Sequence, residues 1–226
     1  MAESVPKVAF VDVDGTLVSG NAWAGVLRYA HVPRLKVLLL FAYTLPRIVL
    51  HRLHLLGEVR FQAGWIRGLA WLLKGWSAAD VEAFFSWLAQ DFLHARYQID
   101  MQTEMQQLAQ QGTQIVLISL TFEGAVEHIA QHVGAQGAIG SRLQIVDGVC
   151  TGRLRGRACV GPRKLDFIRA YLSDHMPEVS PLECIAYADS YSDAVMLAAM
   201  GDAVAVAPDR QLRAAALEQN WRVQER

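Results

Sequence analysis

Apolar residues along the chain follow two periodicities. Short, nearly continuous runs stand at Lys7–Val13 (KVAFVDV), Thr113–Ser119 (TQIVLIS), Cys184–Asp189 (CIAYAD) and Asp202–Pro208 (DAVAVAP). Each has strand length and is rich in Val, Ile or Ala, the pattern of strands buried on both faces. Between them the spacing changes to threes and fours. Met101, Met105 and Leu108 share one helical face. Phe122, Ala125, Val126, Ile129 and Val133 form a second stripe, and Leu165, Ile168 and Leu172 a third. Buried strands alternating with amphipathic helices predict an α/β fold, three layers around a parallel sheet. RLQIVDGVCTGRL departs from this rhythm, because Asp147-Gly148 between two β-prone runs is a hairpin signal.

Residues 20–95 interrupt the alternation with helical character. In WSAADVEAFFSWL, Ser77 is placed to cap a helix whose third position is Asp80. Five of the six Trp fall in this stretch: Trp23, Trp65, Trp71, Trp76 and Trp87. It reads as an α-helical cap domain inserted after the first strand, leaving residues 1–19 and 96–226 as the α/β core.

Composition narrows the function. With 226 residues, 53% of them hydrophobic, the chain can bury a sizeable core. A net charge of −1 and no Lys/Arg cluster at either end argue against a nucleic-acid partner. Cys150, Cys159 and Cys184 are scattered, with no CxxC pair, which fits free thiols in a reducing compartment. The opening MAESVPK has no apolar signal core, so a cytoplasmic location is expected.

The polar exceptions sit where strands end, and ligands of open α/β sheets bind beyond the carboxyl ends of the strands. Asp12 and Asp14 close the first strand, Ser119 the second and Asp189 the third, with Asp193 one turn further on. Lys164 opens the helix after the hairpin. Crowded carboxylates resist joint ionisation, and a hard divalent cation such as Mg²⁺ relieves them. Such a set suits phosphoryl transfer. One carboxylate attacks phosphorus, a second handles protons, and Lys and N–H or hydroxyl donors offset the charge. The helix following Ser119 is expected to add free N–H groups to a phosphate site.

DVDGT resembles motif I of the haloacid dehalogenase-like superfamily. Ser119 in IVLIS resembles its motif II, Lys164 its motif III, and ADSYSD its motif IV. GSRLQIVDGVCTGRLRGRACVGPRK is similar to the phosphoserine-phosphatase-like branch, subfamily IB, and the insertion resembles its C1-type helical cap. The resemblance spans essentially the whole chain and implies a Rossmann-like core and a Mg²⁺-dependent phosphomonoester hydrolase working through an aspartyl-phosphate. It makes Asp12 the nucleophile and Asp14 the general acid/base. Asp12, the Asp14 backbone carbonyl and Asp189 would ligate Mg²⁺, with Asp193 behind them, and Ser119 and Lys164 would hold phosphate. An acid at position 14 favours phosphate release over carbon–halogen cleavage. Two departures stand out: Ala188 where Gly is usual before the motif IV aspartate, and Leu120-Thr121 after Ser119 where relatives carry smaller residues. Rival readings are phosphoserine phosphatase proper, a phosphotransferase to alcohol acceptors, and a non-catalytic phospho-accepting signalling or interaction module.

The insertion carries the substrate question. Between Gly20 and Gly57 there is no Asp or Glu, while Arg28, Arg34, Lys36, Arg47 and Arg52 are basic. The apolar run Val37–Leu45 lies among them and falls short of the about 20 residues needed to span a bilayer. Three readings stay open: the cap's own core, a homodimer surface, or a peripheral contact with the inner membrane surface. The third points to a phosphomonoester on a lipid or other bulky apolar body; a small phosphomonoester is the other candidate substrate. Arg60 and Arg67 are candidate contacts to an anionic substrate.

Overall fold

The computed structural model describes residues 7–29, 31–53 and 55–225. The first six residues of the expected core domain, Ala30 and His54 of the expected cap, and Arg226 lie outside these. Strand β1 (Val8–Asp12) leads into four helices: α1 (Ala24–Arg28), α2 (Arg34–Arg52), α3 (Glu58–Leu72) and α4 (Ala78–Trp87). The chain continues through α5 (Ile99–Gln110), β2 (Gln114–Phe122), α6 (Glu123–Val133) and β3 (Gly137–Ser141). A hairpin of β4 (Leu143–Val146) and β5 (Val149–Leu154) precedes α7 (Arg163–His175) and β6 (Cys184–Ala188). The last elements are α8 (Ala194–Ala198), β7 (Asp202–Val206), α9 (Arg210–Gln219) and β8 (Arg222–Gln224).

Six parallel strands make the sheet, in the order β3-β2-β1-β6-β7-β8. The expected Rossmann-like α/β core is therefore present. Strand β1 is central, and alternate residues serve opposite faces: Ala9 and Val11 join one core cluster, Val8 and Phe10 the other. Met101 and Met105 of α5 and Val126 and Ile129 of α6 cover the first face. Ile168 and Leu172 of α7 and Leu212 of α9 cover the second. Full burial on both sides explains why these strands read as unbroken apolar runs.

Two edge elements, β3 and β8, were not anticipated, since GAIGS and RVQ carry too few apolar residues to register. Strand β2 also runs past Ser119 to Phe122, with its pairing to β3 irregular between Ile118 and Phe122. The hairpin forms as its sequence predicts, with Asp147 at φ 48° and Gly148 at φ 74°, the left-handed pair of a tight turn.

The helical insertion keeps its local signals. Ser77 Oγ accepts the Asp80 N–H at 3.1 Å, and Asp80 Oδ2 accepts the Ser77 N–H at 3.2 Å, a reciprocal cap at the start of α4. Tyr29 gathers the rings of Phe84 and Trp87 at 5.1 and 5.0 Å. The two chain crossings between insertion and sheet lie side by side, tied by Ser19 N–H to Arg96 O at 2.7 Å and Gln98 N–H to Leu17 O at 2.9 Å. Cys150, Cys159 and Cys184 are buried free thiols. Among the described residues no helix is long and apolar enough to cross a membrane.

Candidate active site

Strand β1 is flanked by β2 on one side and β6 on the other, so the chain reverses direction across the sheet at its carboxyl end. A cavity of about 450 Å³ opens there, lined by Asp12, Asp14, Lys164, Asp189 and Asp193 at one end. The buried ammonium of Lys164 is the hub. Its Nζ lies 2.5 Å from Asp12 Oδ1 and 2.7 Å from Asp193 Oδ2. Burial works against its charge, but the two carboxylates overcome that and raise its pKa. Arg163, adjacent in sequence, makes neither contact; one residue along a helix turns a side chain away by about 100°.

The carboxylates outnumber their cation. Burial raises the Asp12 pKa well above the usual range, Lys164 pulls it back, and Asp193, Asp189 and Asp14 push it up again. Burial and then the Asp193 charge bring Asp189 to about 6. Asp14 is also raised by burial, and the Ala22 N–H and Ser119 hydroxyl oppose this. These last two fix its position: Asp14 Oδ1 accepts from Ala22 N–H, and Oδ2 accepts from Ser119 Oγ at 3.0 Å.

Ser119 itself is fully buried and stands behind Asp14, outside the cavity lining. Strand β2 continues to Phe122 and α6 starts only at Glu123, so the N–H groups of the helix start begin four residues beyond Ser119, and the Thr121 N–H is given to Ser119 Oγ at 3.0 Å. A phosphate contact from Ser119 requires its hydroxyl proton to turn from Asp14 to the ligand.

The oxygen donors fit a hard cation. Asp193 Oδ1 is buried without a hydrogen-bond partner among the described residues, and Asp12 Oδ2 accepts from the Thr16 hydroxyl at 3.4 Å. Among the described residues no three acidic, His or Cys side chains already stand at metal-ligand spacing. A divalent cation here would be held by the carboxylates of Asp12 and Asp189 and by the backbone carbonyl of Asp14, whose side chain is taken by protein donors.

The haloacid dehalogenase-like hydrolase profile matches residues 9–198. The chain belongs to that family. Phosphoserine phosphatase SerB1 of Mycobacterium tuberculosis (strain ATCC 25618 / H37Rv) is 30% identical over 223 residues, covering 96% of this chain and 70% of its own. A crystal structure of a protein with unknown function from Bordetella pertussis Tohama I superposes with a TM-score of 0.77 at 19% identity, covering 98% of this chain and 99% of that one. A phospho-aspartyl intermediate analogue of phosphoserine phosphatase superposes at 0.63 with 18% identity, covering 98% and 94%. Within the haloacid dehalogenase-like hydrolases the chain sits in the phosphoserine-phosphatase-like branch, and it is an enzyme of the phosphatase type.

The other wall of this hydrolase's cavity comes from the insertion: Trp23, Phe41, Ile48, Phe61, Gln62 and Trp65, with Asn21 at its edge. Arg60 and Arg67 are not among them. Helix α3 turns Phe61, Gln62 and Trp65 inward, and at about 100° per residue positions 60 and 67 fall on its opposite side. Arg67 lines a second cavity instead, and Arg60 is exposed. Choosing by charge missed this wall, whereas the spacing of Phe61 and Trp65 could have found it.

Gly15 is required by the packing around it. Its φ is +81°, and a Cβ there would lie 2.0 Å from Asp189 Oδ2. Gly15→Ala should displace Asp189, lowering kcat/KM at least about tenfold and raising the Mg²⁺ concentration needed for half-maximal rate. Unchanged Mg²⁺ dependence in a folded variant would remove Asp189 from the metal site.

Proposed function

We propose that this chain is a Mg²⁺-dependent phosphomonoester hydrolase that works through an aspartyl-phosphate on Asp12 and takes substrates with an apolar alcohol portion. The observation that carries the chemistry is the buried Asp12–Lys164–Asp193 array beside a separately held Asp14. An oxygen of Asp12 attacks phosphorus while the bond to the ester oxygen breaks. Lys164 keeps a positive charge beside the transferring group. Asp14, kept protonated more readily by its burial, gives its proton to the leaving alkoxide. As a carboxylate it then takes a proton from water, whose oxygen attacks phosphorus and frees Asp12 with release of phosphate. A bound Mg²⁺ would supply neutralisation of the phosphoryl oxygens. Residues 20–95 serve as the cap that excludes bulk water, hinged on the paired crossings near Ser19 and Arg96.

The substrate reading rests on the insertion wall, which offers rings and aliphatic side chains, with Asn21, Gln62 and the Trp23 and Trp65 indole N–H groups as its polar groups and no charged side chain. Phosphoserine carries an ammonium and a carboxylate, and burying either without a charged partner is costly. Alkyl or lysophospholipid phosphomonoesters leave no such charge stranded. A panel assayed with Mg²⁺ and with chelator tests both parts. Alkyl phosphates should exceed phosphoserine in kcat/KM by about tenfold or more, as burial of a few methylenes allows, and chelator should abolish turnover. Phosphoserine as the best substrate would overturn the apolar reading; undiminished rates in chelator would overturn the metal.

A further inference from the structure

Helix α2 uses its circumference in three ways. Phe41 and Ile48 line the catalytic cavity. Leu40 and Thr44 are buried, Leu40 so close to α3 that a Cβ on Gly68 would lie 2.4 Å from it. The third arc faces solvent. At about 100° per residue, Leu35, Leu38, Leu39, Leu45, Val49 and Leu50 fall together on it, and Leu38 and Leu45 are 65% and 61% exposed. An apolar face of this extent on a water-facing helix marks a contact surface.

We propose that this face of α2 docks on an anionic lipid bilayer, with the helix lying in the plane of the interface. Charge selects the occupant. Arg34 and Arg52 flank one edge of the apolar arc and Lys36 and Arg47 the other, and residues 20–57 hold no acid. A second copy of the chain meeting the same face would bring this basic set against itself, with no acid of residues 20–57 to pair it. Pro46 within the helix withholds an N–H from the turn before it, leaving a carbonyl that the hydrocarbon interior would penalise and the headgroup zone satisfies.

A second, independent feature points to an anionic headgroup. Beside α2 lies another cavity of about 450 Å³, lined by Leu39, Tyr43, Arg47, Arg67 and Trp71 among others and by no acidic residue. Arg47 is stacked 4.2 Å over the Tyr43 ring, and its Nη1 is buried without a hydrogen-bond partner. A lipid phosphate there would meet two guanidinium groups while its acyl chains continue along the apolar arc. Phe41 and Ile48 then carry the apolar surface from bilayer to catalytic cavity, a last step that rests on the proposed phosphatase reading; the docking does not.

Flotation of the full chain tests this with phosphatidylcholine vesicles containing phosphatidylglycerol and with phosphatidylcholine alone. The protein should float with the anionic vesicles and bind the neutral ones at least about tenfold more weakly. Replacing Leu38, Leu45 and Val49 together by Gln should weaken anionic binding at least about tenfold and leave circular dichroism and p-nitrophenyl phosphate turnover unchanged. Arg47→Gln with Arg67→Gln should remove most of the preference for anionic vesicles. Absence from both vesicle fractions overturns the proposal, as does a stable homodimer that the Gln triple variant separates. A protein that floats but hydrolyses no phosphomonoester sinks the phosphatase reading alone; one that hydrolyses but does not float sinks only the docking.

Discussion

Asp12→Asn should reduce p-nitrophenyl phosphate hydrolysis by at least ~10⁴-fold, the scale of losing a covalent nucleophile. The amide has nearly the carboxylate's shape but cannot attack phosphorus. Folding should survive, because Lys164 keeps Asp193 at 2.7 Å and the strand around position 12 is buried by residues on both faces. Burial disfavours the charged form of Asp12, Lys164 favours it, and three neighbouring acids oppose it again, so the melting temperature of the variant in chelator checks that any loss of activity is one of chemistry and not of folding. A folded variant retaining more than about a hundredth of the activity would exclude Asp12 as the nucleophile.

The parts of this molecule legible in its sequence are those decided by local chemistry. Val8–Asp12 is apolar on every position until its last because both faces are covered, so the switch to Asp12 marks a strand end without any tertiary knowledge. Asp147-Gly148 and the Ser77–Asp80 cap are likewise short-range devices. What escaped depends on how elements meet. The Ser119 hydroxyl faces Asp14 because β2 continues beyond it, and no pattern in IVLISLTF announces where its pairing with β3 breaks. Lys164 and Asp12 are 152 positions apart, so their contact follows from the family resemblance or the fold, not from spacing.

The insertion shows the same limit differently. Helices α2 and α3 are both apolar on more than one side, so periodicity could not say which side meets the sheet. Gly68, which admits Leu40, sets how the pair packs. That packing sends Phe61 and Trp65 into the cavity at the carboxyl end of β1 and Arg67 away from it. The same arrangement leaves α2 with an uncovered apolar arc, and so couples the substrate question to the surface question.

Asp14→Asn should separate the two halves of the reaction. With an ordinary alkyl phosphate the leaving alkoxide needs a proton, and loss of its donor should slow turnover by about 10²–10⁴-fold. With p-nitrophenyl phosphate the leaving group departs readily without one, so the first transfer to Asp12 should proceed much nearer its normal rate. Hydrolysis of the acyl phosphate still requires a base for the attacking water. The variant should release about one equivalent of p-nitrophenolate in a burst and then stall, and acid-quenched protein should carry a phosphate on Asp12 by mass spectrometry. Asparagine can keep the Ser119 and Ala22 contacts through its carbonyl only in part, since its NH₂ cannot accept from either. Ser119→Ala is therefore the control: it loosens Asp14 without removing the acid and should slow both substrates alike, with no burst. Equal slowing of both substrates by Asp14→Asn, with no phosphorylated Asp12, would show that Asp14 only shapes the site.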